Sequence, residues 1–576
     1  MSAAGTIVPR LYSNFRGVDF RGEEINLSRS PDSVNMWKDY RETDSIRTRP
    51  ALEMDVSFSG PVYGIFFYGN IMVVHAGKNL YRVTQGGQKL IIWNNLNEAP
   101  SSGFVYKDLF YFKDGKHYLQ YDGNTLKEVE GYVPTTSIAR KPNKDTKQPS
   151  GGTIHEDVNL LTGRRINTFL ADGENNVFWL DAKNIDTDFE VIVKVNDVVV
   201  PLYYYEGDVQ KINYWVFHEN GQVIFPNPPA APLTDGRDNV SIEFSKTISK
   251  NRSIIENCTM LQVFDNRVFF AGNPDYPNVV WHCSLDDPTY CSDLDYYREG
   301  MDTAKVTGMV AGNNALWVFR EPSDANTTVF YHAPTIDGEY GKIYPSQHSS
   351  VTTGCIGKAI NFNDDIVFFS ERGMEGISGD ITTEQVVAHR STMVDRKLIS
   401  EKDYKNMVLE EWEGYLCVFI GDKVYLADSR AMFTNENHVE YEWFYWDLQK
   451  KVNCAKVHDG VLYIGCEDSI YTLTDNESAV ESYWTTPKDK FKNPQKLKTT
   501  NKRGCTVEAT GDISLYAKLE DTDFELIGKY EKVTDYFVSR IKRKKFKDIQ
   551  LKFHSQTRFS LETATLECFI GGYIKR

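Results

Sequence analysis

One short pattern returns seven times along this chain: a polar two-residue turn, an aromatic-rich run typical of a β-strand, a gap, and usually a second such run. Successive turns lie 38, 47, 51, 50 and 46 residues apart, with one gap of 158 residues. This period is the length of a four-stranded propeller blade, about 40 to 50 residues. The turns are Gly69-Asn70, Lys107-Asp108, Asp265-Asn266, Gly312-Asn313, Asn363-Asp364, Glu413-Gly414 and Asp459-Gly460.

The runs that follow the turns are too short for helices and are apolar on both faces, as in strands covered on both sides by neighbouring sheets. We therefore predict an all-β fold, a β-propeller of about six to eight blades. An irregular stack of antiparallel hairpins is the alternative, but closure protects sheet edges that an open stack leaves exposed. Closure requires outer edge strands from distant parts of the chain, and we expect them before Phe58 and within the aromatic run 441–446.

The gap of 158 residues predicts a separate domain inserted into the propeller. Residues 140–153 are polar and contain Pro and Gly, as linkers do. Apolar runs at 190–195, 198–200, 214–217, 222–225 and 240–244 then predict the strands of a small β-sandwich. The predicted domains are a lead-in (1–58), a first part of the propeller (59–150), the inserted β-sandwich (151–247), a second part of the propeller (248–483) and a C-terminal β region (484–576).

Charge is distributed unevenly between these domains. Residues 484–576 contain 20 Lys and Arg against 12 Asp and Glu, a net charge of +8, so the total of −15 leaves −23 for residues 1–483. Such a pair of opposite charges favours electrostatic contact between copies or with another acidic surface. The run Lys542, Arg543, Lys544 and Lys545 is therefore a candidate assembly contact, and we predict that it lies on an exposed strand face. Nucleic-acid binding is the alternative for this run.

Segments and motifs that would place the chain in other classes were sought in the sequence. No apolar stretch approaches the roughly 18 residues that a membrane-spanning helix needs, and the first residues do not resemble a secretory signal. The nine cysteines form no Cys-x-x-Cys pair, which favours a reduced protein. The common hydrolase, zinc and phosphate-loop motifs are missing. We therefore predict no enzymatic activity, no catalytic or metal-binding residues and no cofactor.

The lead-in has its own local pattern. Ser30 is suited to cap a short helix with Pro31 at its first position, which would place Met36 and Trp37 against a core. Arg47 and Arg49 then flank a strand that enters the first blade. Both arginines are candidate assembly contacts, and a clasp within the chain and a contact with another subunit are equally open.

Three parts of the chain together resemble one known family. The residues concerned are 193–198 and 217–229 in the insert, 14–19, 29–37 and 47–50 in the lead-in, and 544–549 and 569–576 at the end. They are similar to the tail nozzle, tail hub or stabilisation proteins of short-tailed bacteriophages. In that family a lead-in with Ser-Pro-x-x-x-Asn-Met and a later Arg-Pro precedes a propeller with an inserted β-sandwich.

The resemblance implies a structural virion protein that extends the portal and adaptor into the tail tube and gates or conducts DNA. It implies a homo-oligomeric ring, six copies by analogy, with the portal, the adaptor and other tail proteins as partners and double-stranded DNA passing through the lumen. The expected location is the virion tail, assembled in the host cytoplasm. Two alternatives remain open: a propeller that binds or hydrolyses glycans as a host-receptor protein, and a monomeric cytoplasmic scaffold.

Overall fold

In a computed structural model the chain is an all-β protein of the β-propeller type, as the repeated pattern predicts. The structure describes residues 7–22, 26–41, 45–84, 86–139, 154–232, 234, 237–324, 327–337, 341–378, 386–435, 438–476, 479–542 and 544–573. Helical structure in this part of the chain is limited to Asn251–Glu256, Asp395–Leu398 and a 3₁₀ turn at Tyr404–Asn406. Among the described helices, none is long and apolar enough to cross a membrane.

Within the described residues the repeats form seven units of four antiparallel strands, here called blades 1 to 7 in chain order; six are separate sheets, and blade 6 is part of a larger sheet. This number lies inside the predicted range of six to eight. Blade 1 consists of Val62–Tyr68, Ile71–Ala76, Asn79–Val83 and Lys89–Trp93, and blade 2 of Ser102–Tyr106, Leu109–Lys113, Tyr118–Tyr121 and Leu126–Glu128. Blade 3 consists of Met260–Phe264, Arg267–Ala271, Val279–His282 and Tyr296–Arg298, and blade 4 of Val306–Gly312, Ala315–Arg320, Val329–His332 and Ser346–His348. A hairpin of Thr335–Asp337 and Gly341–Ile343 precedes the last strand of blade 4.

Blades 5 to 7 follow the same plan. Blade 5 consists of Ala359–Phe362, Asp365–Ser370, Gly373–Ser378 and Val386–His389, and blade 6 of Val408–Trp412, Tyr415–Ile420, Lys423–Asn435 and His438–Asp447. Blade 7 consists of Val452–His458, Val461–Cys466, Ser469–Thr474 and Ala51–Ser57. The fourth strand of blade 7 thus comes from the beginning of the chain, and His438–Asp447 supplies the outer strand of blade 6. Both sources of edge strands agree with the prediction.

The polar turns join the first and second strands of the blades because their residues tolerate positive φ. In blade 2, for example, Lys107 and Asp108 have φ values of 44° and 61°. Two successive residues at positive φ are the mark of the type I′ turn, whose twist matches that of a β-hairpin. The turn of blade 4 lies one residue later than predicted, at Asn313 and Asn314, because Gly312 still belongs to the preceding strand.

The chain divides into two compact units, which we describe separately. Residues 1–101 and 304–576 form the first unit, which holds blades 1, 4, 5, 6 and 7, the lead-in and the C-terminal region. Residues 102–303 form the second unit, with blades 2 and 3 and the inserted domain. In the first unit, blades 1 and 7 share one buried apolar cluster, blades 4 and 5 a second, and blades 5 and 6 a third.

The inserted domain consists of two sheets around a core of its own, which includes Phe169, Phe178, Val223 and Ile242. One sheet has the strand order Thr135–Ala139, Arg164–Phe169, Val240–Ser245, Ile192–Val195 and Val198–Val200. The other has the order Val177–Trp179, Gln222–Ile224 and Trp215–Phe217, and a separate hairpin is formed by Tyr203–Glu206 and Val209–Ile212. The predicted linker at 140–153 lies outside the described residues.

The edges of the inserted domain differ from the predicted boundaries in two respects. Its first strand already starts at Thr135, ahead of the predicted linker. Conversely, Leu160 and Leu161 are buried in the apolar cluster of blades 2 and 3, not in that of the insert. Asn159 fixes this segment, because its amide donates to the carbonyl oxygens of Tyr132 at 2.9 Å and of Thr289 at 2.8 Å.

Four strands of the lead-in form one continuous sheet with the C-terminal region and blade 6, and the other two form a small sheet of their own. The lead-in strands are Ile7–Tyr12, Gly17–Val18, Arg29–Ser30, Ser33–Val34, Met36–Trp37 and Ile46–Thr48. The C-terminal strands are Ser482–Thr485, Lys496–Leu519, Glu525–Val533, Tyr536–Ser539, Lys545–Phe546, Ile549–Ser555 and Phe559–Tyr573. The helix predicted after Ser30 is therefore wrong. Arg29–Ser30 pairs with Gly17–Val18, and Ser33–Val34 and Met36–Trp37 are short strands that pair with distant strands.

Candidate functional site

The lead-in acts as a clasp between blade 6 and the C-terminal region. Its first strand runs antiparallel to Phe559–Tyr573, and Ser33–Val34 pairs with Ser482–Thr485. Met36–Trp37 pairs with the outer strand of blade 6. Because the backbone of one segment bonds to both neighbours, separating them would break ladder hydrogen bonds on each side. We call residues 7–22, 26–41 and 45–50 the clasp.

The Ser-Pro-x-x-x-Asn-Met residues hold this clasp through side-chain bonds to backbone groups. The hydroxyl of Ser30 donates to the carbonyl oxygen of Thr485 at 2.7 Å. The amide of Asn35 donates to the carbonyl oxygen of Glu481 at 2.8 Å, and its oxygen accepts the backbone N–H of Asp447 at 2.8 Å. One asparagine thereby bridges the C-terminal region and blade 6. Its φ of 58° is the left-handed conformation that Asn adopts more readily than most residues.

The structure buries both arginines that were candidate assembly contacts. Arg49 donates to Asn35 Oδ1 at 2.9 Å, to the carbonyl oxygen of Pro50 at 2.8 Å and to that of Asp447 at 3.1 Å. Burial lowers the pKa of Arg49 to about 10. Arg47 lies 3.3 Å from Asp39 and 3.2 Å from Asp475. The guanidinium groups thus act within the chain, and a contact with another subunit stays a prediction.

A buried ion pair adds to the clasp. Arg29 donates to both carboxylate oxygens of Glu442, at 2.9 and 2.5 Å, and its guanidinium lies 4.4 Å from the centre of the Phe433 ring. Sequence reasoning did not find this pair, because its members lie 413 positions apart and no local pattern marks them. Beside it, Trp37 stacks on Trp412 with ring centres 5.4 Å apart.

The basic run near the C-terminus lines a groove of about 330 Å³. Cationic side chains of Arg540, Lys542, Lys544 and Lys545 surround it, together with the carboxylates of Glu520 and Glu525. We call these four cationic residues the basic groove. Lys544 Nζ lies 3.3 Å from both carboxylate oxygens of Glu525. The structure thus brings three of the predicted lysines together and adds Arg540, whereas Arg543 lies outside the described residues.

The basic groove is formed mainly by a loop, not by the exposed strand face that we predicted. Residues 540–542 and 544 connect two strands, and only Lys545–Phe546 pairs, with Lys498 and Thr499. Ile541 is buried and anchors the loop, and its carbonyl oxygen accepts the hydroxyl of Thr500 at 3.2 Å. Lys542 and Lys545, which follow this anchor in the chain, are exposed. Their ammonium groups are therefore available to an anionic surface such as a run of carboxylates.

His389 lies between two carboxylates at the end of blade 5. His389 Nε2 lies 2.6 Å from Asp395 and Nδ1 lies 3.3 Å from Glu375. Burial lowers the pKa of His389, but the hydrogen bonds to both carboxylates outweigh this effect and raise it to about 10. The imidazole is thus a cation at neutral pH, which suits an ion pair and not a general base. The absence of enzymatic activity stays a prediction.

Comparison with known proteins finds only distant similarities. No family model and no curated protein matches it. The solved structures that resemble it include BamB from Moraxella catarrhalis, with 9% identity, a TM-score of 0.33 and coverage of 77% of this chain and 94% of BamB. An exo-β-1,3-galactanase from Phanerochaete chrysosporium has 8% identity, a TM-score of 0.21 and coverage of 53% and 94%. Similarities this weak say nothing about what the chain binds.

Proposed function

We propose that this chain is a structural virion protein of a tailed bacteriophage. In this proposal it forms a ring that extends the portal and adaptor into the tail tube and gates or conducts DNA. The domain order supports the proposal, since a lead-in, a propeller with an inserted β-sandwich and a C-terminal β region occur here in the sequence that the resemblance implies. The ring would be cyclic, with six copies by analogy.

The observation that carries the proposal is the use of the lead-in motif in the clasp. The resemblance in the lead-in rests on Ser30, Asn35 and Arg49, and each of them bonds to backbone groups of distant segments. Residues that hold distant segments together in this way are part of the fold itself, unlike residues on an exposed surface. The motif thus supports a common fold with the phage proteins, from which the tail function follows by analogy.

The charge distribution supports assembly between copies. The basic groove lies in a region with a net charge of +8, while residues 1–483 carry −23. A cationic loop would be attracted to an acidic surface on a neighbouring copy and would help to orient the two copies. Salt would weaken this attraction. An acidic body also suits a DNA conduit, because negative walls repel the phosphate backbone and prevent it from sticking.

The experiment reverses the charge of the basic groove in the phage genome. A variant with Lys542→Glu and Lys545→Glu should yield particles with defective tails, because two attractions to an acidic neighbour become repulsions. The matched control is Lys402→Glu and Lys529→Glu, which changes the total charge equally at exposed positions outside the groove. Plaque titre and electron microscopy of the particles give the readout.

Normal tails and an unchanged titre in the groove variant would refute the charge-docking role. Equal defects in both variants would show that total charge, and not the groove, matters. Thermal unfolding of the purified variants checks that the fold is retained. Light scattering on the purified protein at low and high salt separates a ring from the monomeric scaffold that was the third alternative.

A further inference from the structure

The outer face of the three-stranded sheet in the insert carries mostly apolar side chains, where polar ones are usual. Phe178, Val216 and Val223 point inward, to the core of the insert. Because side chains alternate along a strand, the residues between them share the opposite face. Direct cross-strand pairing arranges that face as two rows, which consist of Trp179, Gln222 and Phe217, and of Val177, Ile224 and Trp215. We call these six residues the aromatic face.

The three aromatic side chains of this face are unusually open to solvent. Trp179 is 53% exposed, Trp215 41% and Phe217 45%. The solvent side of an antiparallel sheet is ordinarily polar, yet here the polar groups are limited to the amide of Gln222 and the indole N–H groups of Trp179 and Trp215. A contiguous apolar patch of this kind on a folded domain usually marks a binding site.

The size and charge of the face decide what fits it. Trp179 and Phe217 flank the strand of Gln222, so their backbones lie about 10 Å apart, and the two rows are separated by about 7 Å. A standard protein interface buries about 800 Å² on each partner, more than six side chains of this exposure offer. None of the six side chains is charged, so the face has no group to pair with an ionic ligand. A small, neutral, partly apolar ligand remains.

We propose that the aromatic face is a binding platform for neutral hexose units of a bacterial surface polysaccharide. Hexose rings present flat patches of C–H groups, which stack on indole and phenyl faces, while their hydroxyls hydrogen-bond to amides. The amide of Gln222 lies between Trp179 and Phe217 and can both donate and accept there. Binding requires no bond making or breaking, and it is independent of whether the chain forms a ring.

The test uses the full-length protein on an array of bacterial surface polysaccharides, followed by titration calorimetry with the glycans that bind and with cellohexaose and maltohexaose. The double variant Trp179→Ala with Trp215→Ala should weaken binding by about tenfold or more, since two stacking surfaces are lost. Gln222→Ala should weaken it less. Tyr536→Ala, which removes an exposed ring in the C-terminal region, should have no effect.

Three results would overturn the proposal. The first is that no glycan on the array and neither hexaose binds the protein. The second is binding that the double variant leaves unchanged, which would place the glycan elsewhere. The third is a lower mass of the double variant in light scattering, which would assign the aromatic face to contact between copies, together with the exposed tyrosines of the hairpin Tyr203–Ile212. Loss of binding at unchanged mass and unchanged thermal unfolding supports the platform.

Discussion

The clasp and the inserted domain use the same residue types in opposite ways. In the clasp Trp37 is fully buried against other aromatic rings, and Arg29 is paired with a buried carboxylate. In the insert Trp179 and Trp215 lie on the open face of a sheet, and Arg164 forms its ion pair with Glu243 at the surface. The clasp therefore contributes stability, whereas the insert leaves large apolar side chains open to solvent. Residue type alone does not separate these roles, but burial and the identity of the partners do.

The largest difference, in soluble yield and melting temperature, is expected between two variants that remove the insert at different boundaries. The carbonyl oxygen of Gly163 accepts the N–H of Lys246 at 2.7 Å, so a Gly-Ser turn can join these residues in place of 164–245. That variant keeps Leu160 and Leu161 and should remain soluble. Removing 154–246 also deletes both leucines from the cluster of blades 2 and 3, and each such loss costs about 2–5 kcal/mol.

The measurement for this pair is soluble yield and the melting temperature of the purified proteins. Both variants remove the partner strand of Thr135–Ala139, so that loss does not distinguish them. Equal solubility and equal melting temperatures would show that the segment 157–162 adds nothing to blades 2 and 3.

A second comparison exchanges one tryptophan in each region for alanine. Trp37→Ala should lower the free energy of unfolding by about 3–5 kcal/mol, because it leaves a cavity between Trp412 and Trp446. Trp179→Ala should change it by no more than about 0.5 kcal/mol, because the ring is exposed. Urea unfolding followed by circular dichroism measures both. A large loss in Trp179→Ala would mean that the aromatic face is part of a packed core.

The smallest difference between the two regions is expected when one asparagine in each is exchanged. Asn35→Ala should cost about 2 kcal/mol, since the N–H groups of Arg49 and Asp447 and the carbonyl of Glu481 lose their partner. Asn35→Gly separates side-chain bonds from backbone strain, because glycine accepts the positive φ without cost. Asn213→Ala, which removes one bond at the insert hairpin, should cost less. If Asn35→Gly is as stable as the wild type in urea unfolding, the side-chain bridge contributes nothing.

The sequence was sufficient to predict features that repeat along the chain and features that depend on which residues a tight turn accepts. The period predicted four-stranded blades, and pairs such as Lys107-Asp108 predicted hairpins because few residues tolerate positive φ. It also indicated that a strand before Phe58 and the run 441–446 complete blades, the first because closure needs a strand from a distant part of the chain and the second because the run is too aromatic for a solvent loop.

Features that depend on distant partners were not predictable in this way. Ser30 looks like a helix cap locally, but the strand Ser482–Thr485 pairs with the segment after it and makes it a clasp. The pairing of Arg29 with Glu442 leaves no local pattern. The lysines around 544 were read as a strand face, because the burial of Ile541, which shapes the loop, follows from tertiary contacts alone.

The central claim is that this chain is a ring-forming part of a phage tail. Its most direct test is cryo-electron microscopy of the particles that the encoding genome produces, combined with mass spectrometry of their proteins. The account predicts a ring of this chain, six copies by analogy, between the portal and adaptor and the rest of the tail, with the basic groove against an acidic surface. Particles that contain a complete tail but no copy of this chain would contradict the account.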